Sequence, residues 1–574
     1  MNRVARYGAA ALVLVVAAGC SSGGSKTSAS AQIVDMAQVA TVQTDGGPLI
    51  VAHFKGSYYD MGYQEGYLLG DKIIDLWDTF MSTINLQMGL DEPSALTVLT
   101  GLYGNYQPYV PQEYNDEIRG IVDGTVAAGF LTDDTTERTY LQNVLNSIIV
   151  ITDYFSCSFF AAWGPRTVDG KMFSSRDLDW NSDTGIANYK MLAVYEPDGQ
   201  IPYIMATYTG LLGALNGMNM SGITVSEIGS HNTATTYQGE PWSLRMRDIL
   251  STAGNLAQVK TILWDFRDKP NTGGYNWMFS YGDPSGSGAD AGAYSVESDS
   301  MTTSVFRDDS DIEKNAVWID NEGNPVTSAV LERQETDPSS SASPMPVEFC
   351  YEKPATCLTD STCSFFTDAR AGLPVGRTFT AASPFTYDVM ADTGPLHPSY
   401  EVDGSITPGI HYGLPMSYAV FKSDVALTPS IRQTQTATSG PGNTDFNLSA
   451  CGGDDGDPLQ DVNRYWAMYW LIKTYETGGT YINNRGPFWK VLNNISPTKI
   501  GLAQAATIAS AVAMSGDIIS IAYAPTDLDI AVAYESGSGP TWRPASSNTY
   551  YVFSLKGLLA NDFTPTTTYK PWPY

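Results

Sequence analysis

The chain has 574 residues, 43% of them hydrophobic, and a formal net charge of −29. That length and apolar content support a substantial core, read as one large domain with a smaller one, while the acidity excludes nucleic acid and anionic membrane surfaces as natural partners. Only four histidines are present (His53, His231, His397 and His411), with neither HExxH spacing nor a G-x-S-x-G elbow, so zinc-protease and serine-hydrolase chemistry have little to build on.

The N-terminus carries Arg3 and Arg6, an apolar stretch from Ala9 to Ala18, and then Val16-Ala-Ala-Gly-Cys20. This pattern reads as a signal peptide over residues 1–20 that ends in a lipoprotein-type box, with Cys20 as the lipidated residue. The stretch is too short to span a bilayer. The Ser- and Gly-rich run after Cys20 suits a flexible tether, assigned to residues 21–50. An ordinary cleaved secretory signal is the alternative, and either reading places the mature protein outside the cytoplasm, facing periplasm or cell exterior. A lipid anchor would be its only contact with a membrane.

Helical periodicity dominates from about residue 55 to 155: Gly62 to Trp77, Glu113 to Ala128, and Thr136 to Val150 each place apolar residues at three- and four-residue spacing. At Cys157 the pattern changes. Alternating apolar segments, Cys157 to Trp163 and Lys171 to Phe173, flank an Asp169-Gly170 turn signal and read as a β-hairpin, with Arg176 and Asp179 just beyond it. Strands follow at Tyr189 to Tyr195, Tyr203 to Tyr208, Gly222 to Ile228, Trp277 to Tyr281, Ala293 to Glu297 and Ser304 to Phe306. A helix opens near Pro241 and runs towards Phe266, with a break at Gly254-Asn255. Residues from about 307 to 412 are rich in Ser, Thr, Pro and Asp and read as an insertion. The tail returns to helix (Val462 to Tyr475, Lys499 to Met514) and then to strands (Ile518 to Tyr523, Ile530 to Tyr534, Tyr550 to Ser554). Hairpins alternating with helix pairs suggest two sheets between helical layers.

The six cysteines sort by exclusion. Cys350, Cys357, Cys363 and Cys451 form an even set in a disulfide-permissive compartment, with three possible connectivities; a four-cysteine zinc site is the competing reading, but paired CxxC steps are missing. Cys363-Ser-Phe-Phe repeats the tetrapeptide at Cys157 without the residues that follow there. Cys157 is then the cysteine left over, either a buried inert thiol or a nucleophile.

The run Cys157-Ser-Phe-Phe-Ala-Ala-Trp-Gly, with Asp169-Gly-Lys and Arg176-Asp-Leu-Asp179-Trp, resembles the start of the cysteine N-terminal-nucleophile (Ntn) hydrolases. That group contains choloylglycine hydrolases, penicillin V acylases and the acyl-coenzyme A:6-aminopenicillanate acyltransferase. Gly217-Met-Asn219-Met-Ser-Gly222 and Asp461-Val-Asn-Arg464-Tyr465 resemble later motifs of the family, and Gly56 to Gly66 resembles the helical prosegment of its acyltransferase branch. The resemblance implies an α+β, four-layer αββα Ntn-hydrolase sandwich with an N-terminal helical prosegment over residues 51–156 and a catalytic domain over residues 157–574, bearing the insertion. It implies a cut between Ser156 and Cys157 made by Cys157 itself, with the two chains staying associated.

The chemistry is coherent with that reading. A cysteine at a chain terminus gains a neighbouring α-amino group with an unperturbed pKa of about 7.7 to 8.0, suited to take a proton during attack. Arg176 would favour the thiolate and hold nearby oxygens, Asp179 would orient the α-amino group, and Asn219 would donate to an oxyanion. The competing readings are surface ion pairs for Arg176 and Asp179, a left-handed turn for Asn219 and a helix-surface arginine for Arg464. One position departs from the family: Phe421-Lys-Ser-Asp424 carries an aspartate where an oxyanion-hole asparagine is usual. An ionised Asp424 would repel the oxyanion, whereas a protonated one could donate to it. The reaction so implied is hydrolysis of a linear N-acyl amide through a thioester on Cys157, without metal or organic cofactor. Acyl transfer to an amine, phospholipase-B-like ester cleavage and an inactive surface lipoprotein are the alternatives.

Overall fold

The computed structural model describes residues 29–150, 156–180, 185–229, 239–263, 272, 275–286, 291–298, 302–306, 319–320, 418–422, 468, 471–472, 475, 497–513 and 516–570. Cys20, Asp424, Arg464 and the four cysteines from Cys350 to Cys451 lie outside the described residues, as does the insertion except at residues 319–320. So does the start of the helix expected from Val462, although Met468, Leu471, Ile472 and Tyr475 are helical and buried.

The protein is a mixed α and β structure with two sheets. In chain order it begins with α1 (Ala29–Val34), β1 (Gln38–Thr44) and β2 (Gly47–Gly56), and continues through α2 (Tyr58–Met88), α3 (Glu92–Tyr106), α4 (Gln112–Ala127) and α5 (Thr135–Ile148). Then come β3 (Ser156–Ala162), β4 (Phe173–Asp179), β5 (Lys190–Pro197), β6 (Tyr203–Tyr208), β7 (Asn216–Asn219) and β8 (Ile223–Gly229). Helices α6 (Trp242–Thr252) and α7 (Leu256–Leu263) lead to β9 (Tyr275–Tyr281), β10 (Gly292–Ser298), β11 (Thr302–Phe306), β12 (Ile319–Asp320) and β13 (Ala419–Lys422). The chain closes with α8 (Leu502–Val512), β14 (Asp517–Ala524), β15 (Asp529–Tyr534), β16 (Tyr550–Ser554), α9 (Leu555–Leu559) and β17 (Thr567–Tyr569). Among the described residues one sheet runs β1-β2-β5-β6-β7-β8-β9-β10-β11-β12 and the other β13-β3-β4-β14-β15-β16-β17.

Two sequence expectations change here. The tether is expected to remain flexible to residue 50, yet α1, β1 and the start of β2 lie within it, so the segment that precedes Cys157, the leader, is not purely helical. β2 reads Leu49-Ile-Val-Ala-His-Phe54, an apolar run interrupted only by His53 rather than an alternating one, and it pairs parallel with β5. Such a run suits a strand covered on both faces. The second correction concerns the hairpin. Its second arm does not stop at Phe173 but continues as β4 to Asp179, so Arg176 and Asp179 are strand residues. Residues 164–172 form the connection, with Asp169 (φ 54°) and Gly170 (φ 71°) in the left-handed region that the Asp-Gly signal anticipated. The expected helix break is present between α6 and α7. Helix α3, whose Asp91 side chain caps the Ser94 amide, went unread in the sequence, and Ile319 joins the sheet although it falls in the expected insertion.

The leader is bound closely to the body. Ser57 and Asp60 cap the start of α2 reciprocally, and Gln64 exchanges two hydrogen bonds with the Lys55 backbone at 2.9 and 2.7 Å, fixing α2 against β2. Helices α2 and α4 pack through glycines. A Cβ added at Gly66 would lie 2.0 Å from the Ile121 carbonyl oxygen, and one at Gly120 would lie 2.2 Å from that of Tyr59. Backbone cannot yield as a side chain does, so Gly66→Ala is expected to destabilise the protein by about 1–3 kcal/mol in chemical denaturation. Gly101→Ala on α3, where the added methyl meets nothing within 4 Å, should instead stabilise by roughly 0.5–1 kcal/mol.

A buried arginine ties leader to body. Arg247 of α6 donates to Glu117 of α4 at 2.8 Å, to the Tyr203 hydroxyl at 2.6 Å and to the Leu212 carbonyl at 2.7 Å. Its guanidinium lies 4.5 Å from the Tyr195 ring centroid and 5.3 Å from that of Tyr114. Four tyrosines, two from the leader and two from the body, surround it. Nearby, buried Glu65 of α2 accepts from the Gly210 amide at 2.7 Å. Burial pushes Glu65 up to about 7, against the Gly210 hydrogen bond. A carboxyl raised in the folded state contributes stability that is complete below its unfolded pKa and is lost as pH climbs through the folded value. Between about pH 4.5 and 7, wild type should therefore lose about 3 kcal/mol relative to Glu65→Gln, which keeps the acceptor but cannot ionise. Urea melts of both proteins across that range check the sign.

Candidate active site

β3 and β4 pair antiparallel with Cys157 opposite Leu178, Phe159 opposite Arg176 and Ser156 opposite Asp179. Because side chains alternate along a strand, Cys157, Phe159, Arg176 and Leu178 share one face, while Asp177 and Asp179 occupy the other. The Cys157 face looks across to the other sheet: Ser174 on the same face meets Ser280 of β9 at 3.1 Å. Both Cys157 and Arg176 are fully buried in the uncut chain. Cys157 holds a thiol and is not in a disulfide.

Arg176 reaches diagonally to the thiol, its Nη2 donating to Cys157 Sγ at 3.3 Å and to the Glu227 carbonyl oxygen at 3.0 Å. The Glu227 carboxylate on β8 lies 3.5 Å from the same nitrogen. Burial works against the Arg176 charge but is outweighed by Cys157, Glu227 and Tyr523, so its pKa is raised and the cation persists. Two further donors, Nε and Nη1, have no hydrogen-bond partner among the described residues. A buried cation beside a thiol favours the thiolate, and its unmet donors suit an oxygen that gains negative charge.

Asp179 is buried and stands in register with Ser156, the residue before the thiol, and with Asp517 of β14. Its neighbour Asp177 accepts a short hydrogen bond from Ser158, and Asp517 accepts from the Ser546 amide at 2.6 Å. Asn219 lies in the other sheet. Its amide nitrogen donates to the Leu250 and Ala253 carbonyls at 2.9 and 2.8 Å, while its oxygen accepts from the Ser221 and Ile223 amides at 3.0 Å each. Both amide hydrogens are thus committed to the end of α6, and Asn219 serves there as a brace for the turn before β8. The structure brings Arg176 to Cys157 and Asp179 to Ser156, and gives the Asn219 amide to the Leu250 and Ala253 carbonyls instead. β13 pairs with β3 and ends at Lys422, two residues before Asp424.

Glu227 and Tyr523 were not singled out in the sequence. Glu227 lay in an expected strand, where a carboxylate among apolar neighbours is the available signal. Tyr523 of β14, raised by burial, donates to Asn216 Oδ1 at 3.4 Å and carries no distinguishing local pattern. Among the described residues no group of three or more His, Cys, Asp or Glu side chains is placed to hold a metal ion.

No family model matches the sequence. The chain is 26% identical over 229 residues to protein dcd1B of Dictyostelium discoideum, covering 36% of this chain and 43% of that protein. It is 24% identical over 260 residues to an uncharacterized protein of Archaeoglobus fulgidus, covering 42% of each, and 21% identical over 222 residues to Dictyostelium dcd1A, covering 34% of this chain and 48% of the relative. The match therefore spans less than half the length of these relatives. Among solved structures, two variants of the conjugated bile acid hydrolase of Clostridium perfringens are similar at 12% and 11% identity, covering 72% and 73% of this chain and 96% and 90% of theirs, with TM-scores of 0.28 and 0.22.

Proposed function

We propose that the chain is a self-processing cysteine amidohydrolase of the N-terminal-nucleophile type, with a four-layer αββα body and a retained leader. The observation that carries this reading is the 3.3 Å contact between the buried Arg176 guanidinium and the Cys157 thiol, on a hairpin whose Asp179 is in register with Ser156. Maturation begins when Cys157 Sγ attacks the Ser156 carbonyl carbon. The Ser156–Cys157 amide breaks, the Cys157 nitrogen takes a proton, and a thioester joins Ser156 to the sulfur. Water then releases the Ser156 carboxylate and the thiol. In turnover the freed α-amino group accepts the thiol proton as sulfur attacks the substrate's acyl carbon, and passes it to the departing amine. Hydrolysis of the second thioester returns the enzyme. Arg176 stabilises the thiolate and presents Nε–H and Nη1–H to the tetrahedral oxygen, and Asp179 orients the α-amino group. The protein is exported and held at the membrane by lipid on Cys20.

The test is the N-terminus of the purified, signal-free protein, by intact mass and end sequencing. A body chain that begins at Cys157 in wild type, with Cys157→Ala remaining whole, supports the proposal. A wild-type chain that stays uncut after prolonged incubation sinks it.

A further inference from the structure

The strand ends that carry Asp179 and Asp517 border an apolar cleft. Trp180 and Ile518, each one residue past those carboxylates, line it, and so does Tyr208, whose hydroxyl lies within electrostatic reach of Arg176. The cleft thus lies at the same strand ends as Ser156 and its register partner Asp179. Its opposite wall belongs to the leader: Trp77 and Phe80 come from α2, and Ile149 caps the end of α5. Phe80 meets Trp180 with ring centroids 5.5 Å apart and Trp77 edge-on at 5.3 Å, so the leader and body walls touch through aromatic contacts. Among the described residues no charged side chain lines the cleft, in a chain that carries 61 Asp and Glu and 32 Lys and Arg.

We propose that this cleft is the acyl-binding site, that it takes an uncharged, largely hydrocarbon acyl group, and that the leader helices α2 and α5 form one wall of it and so set substrate specificity in the mature enzyme. The inference rests on the amidohydrolase reading for the fate of the acyl group, but not for its binding. An acyl chain laid between Trp77, Phe80 and Trp180 gives up water to apolar surface along its length, at about 0.8 kcal/mol per methylene. A charged acyl group would be desolvated without a partner.

Two measurements separate this inference from the reaction. The first is calorimetric titration of the uncut Cys157→Ala chain with octanamide, acetamide and succinamate. Octanamide should bind at least about a hundredfold more tightly than the other two. The second is turnover of acetyl, octanoyl and glutaryl amides of aminomethylcoumarin by wild type and by Leu211→Trp. Leu211 is half-buried in the cleft wall, so the larger ring can enter without unfolding the protein, which a thermal melt verifies. The substitution should lower the octanoyl-to-acetyl ratio of kcat/KM about tenfold or more. Octanamide binding that Leu211→Trp in the uncut chain abolishes, without turnover of any amide, upholds the cleft and overturns the amidohydrolase. Turnover with equal preference for acetyl, glutaryl and octanoyl groups, or octanamide binding no tighter than acetamide, overturns the acyl site and leaves the amidohydrolase standing.

Discussion

An Arg176→Met variant is expected to self-cleave about 10- to 1000-fold more slowly than wild type at pH 7, and to lose amide turnover by a similar factor. The guanidinium is the cation 3.3 Å from the sulfur, and an opposite charge at that range shifts an ionisation by one to three pH units. Its loss depletes the thiolate in proportion. The same cation faces the Glu227 carboxylate at 3.5 Å, both groups fully buried, so the variant also removes one member of a buried ion pair and should melt at lower temperature. Combining Arg176→Met with Glu227→Gln separates the two effects. The double variant should regain thermal stability, because both charges of the buried pair are removed together, yet still cleave slowly. If it regains the wild-type cleavage rate, Arg176 acts through packing alone. Lysine at position 176 should restore the rate only in part, since it supplies the charge but not the Nε and Nη1 donors proposed to face the tetrahedral oxygen.

Arg247→Met should cost about 3–5 kcal/mol, the usual result of removing one member of a buried ion pair. Glu117 is the group left behind. Burial already raises its pKa, and Arg247 is what lowers it; without the arginine the folded state holds the Glu117 proton to higher pH. The stability deficit should therefore be smaller at pH 5 than at pH 8, as urea melts at the two values will show. Pairing Arg247→Met with Glu117→Leu should recover most of the loss, and the double-mutant cycle gives the coupling. Because Arg247 belongs to the body and Glu117 to the leader, the consequence after maturation differs from simple unfolding. Once the Ser156–Cys157 bond is cut, wild type should elute as one species on size exclusion at neutral pH, whereas cut Arg247→Met should release its leader.

These two arginines show how differently a sequence discloses its chemistry. The Cys157 hairpin was legible because everything that positions Arg176 and Asp179 is local. An Asp-Gly turn fixes the connection, strand alternation fixes the faces, and the register places Arg176 diagonally across from the thiol. Only the length of the second arm was misjudged, since Ser174, Ser175 and Asp177 interrupt the apolar signal that marks a strand. They are buried nonetheless, with Ser174 bonded to Ser280 and Asp177 to Ser158. The alternating helix and strand segments of the body were likewise readable from period alone, and the α6–α7 break from its Gly-Asn pair.

Tertiary structure alone decided the rest. Asn219 sits beside a glycine turn, as its sequence suggested, but the Leu250 and Ala253 carbonyls that claim its amide arrive from more than thirty residues away. Glu227 meets Arg176 across 51 residues and Glu117 meets Arg247 across 130. The cleft has walls from α2, α5, β6 and β14, which no sequence window spans. The sequence by itself determined the strand pair that sets Arg176 beside Cys157, because backbone sterics and hydrophobic period act within a few residues. Which charges find partners, which donors stay unmet and where an apolar cleft remains were settled only when distant segments closed over one core, because burial strips water from polar groups and leaves each to find its partner wherever the fold has brought one.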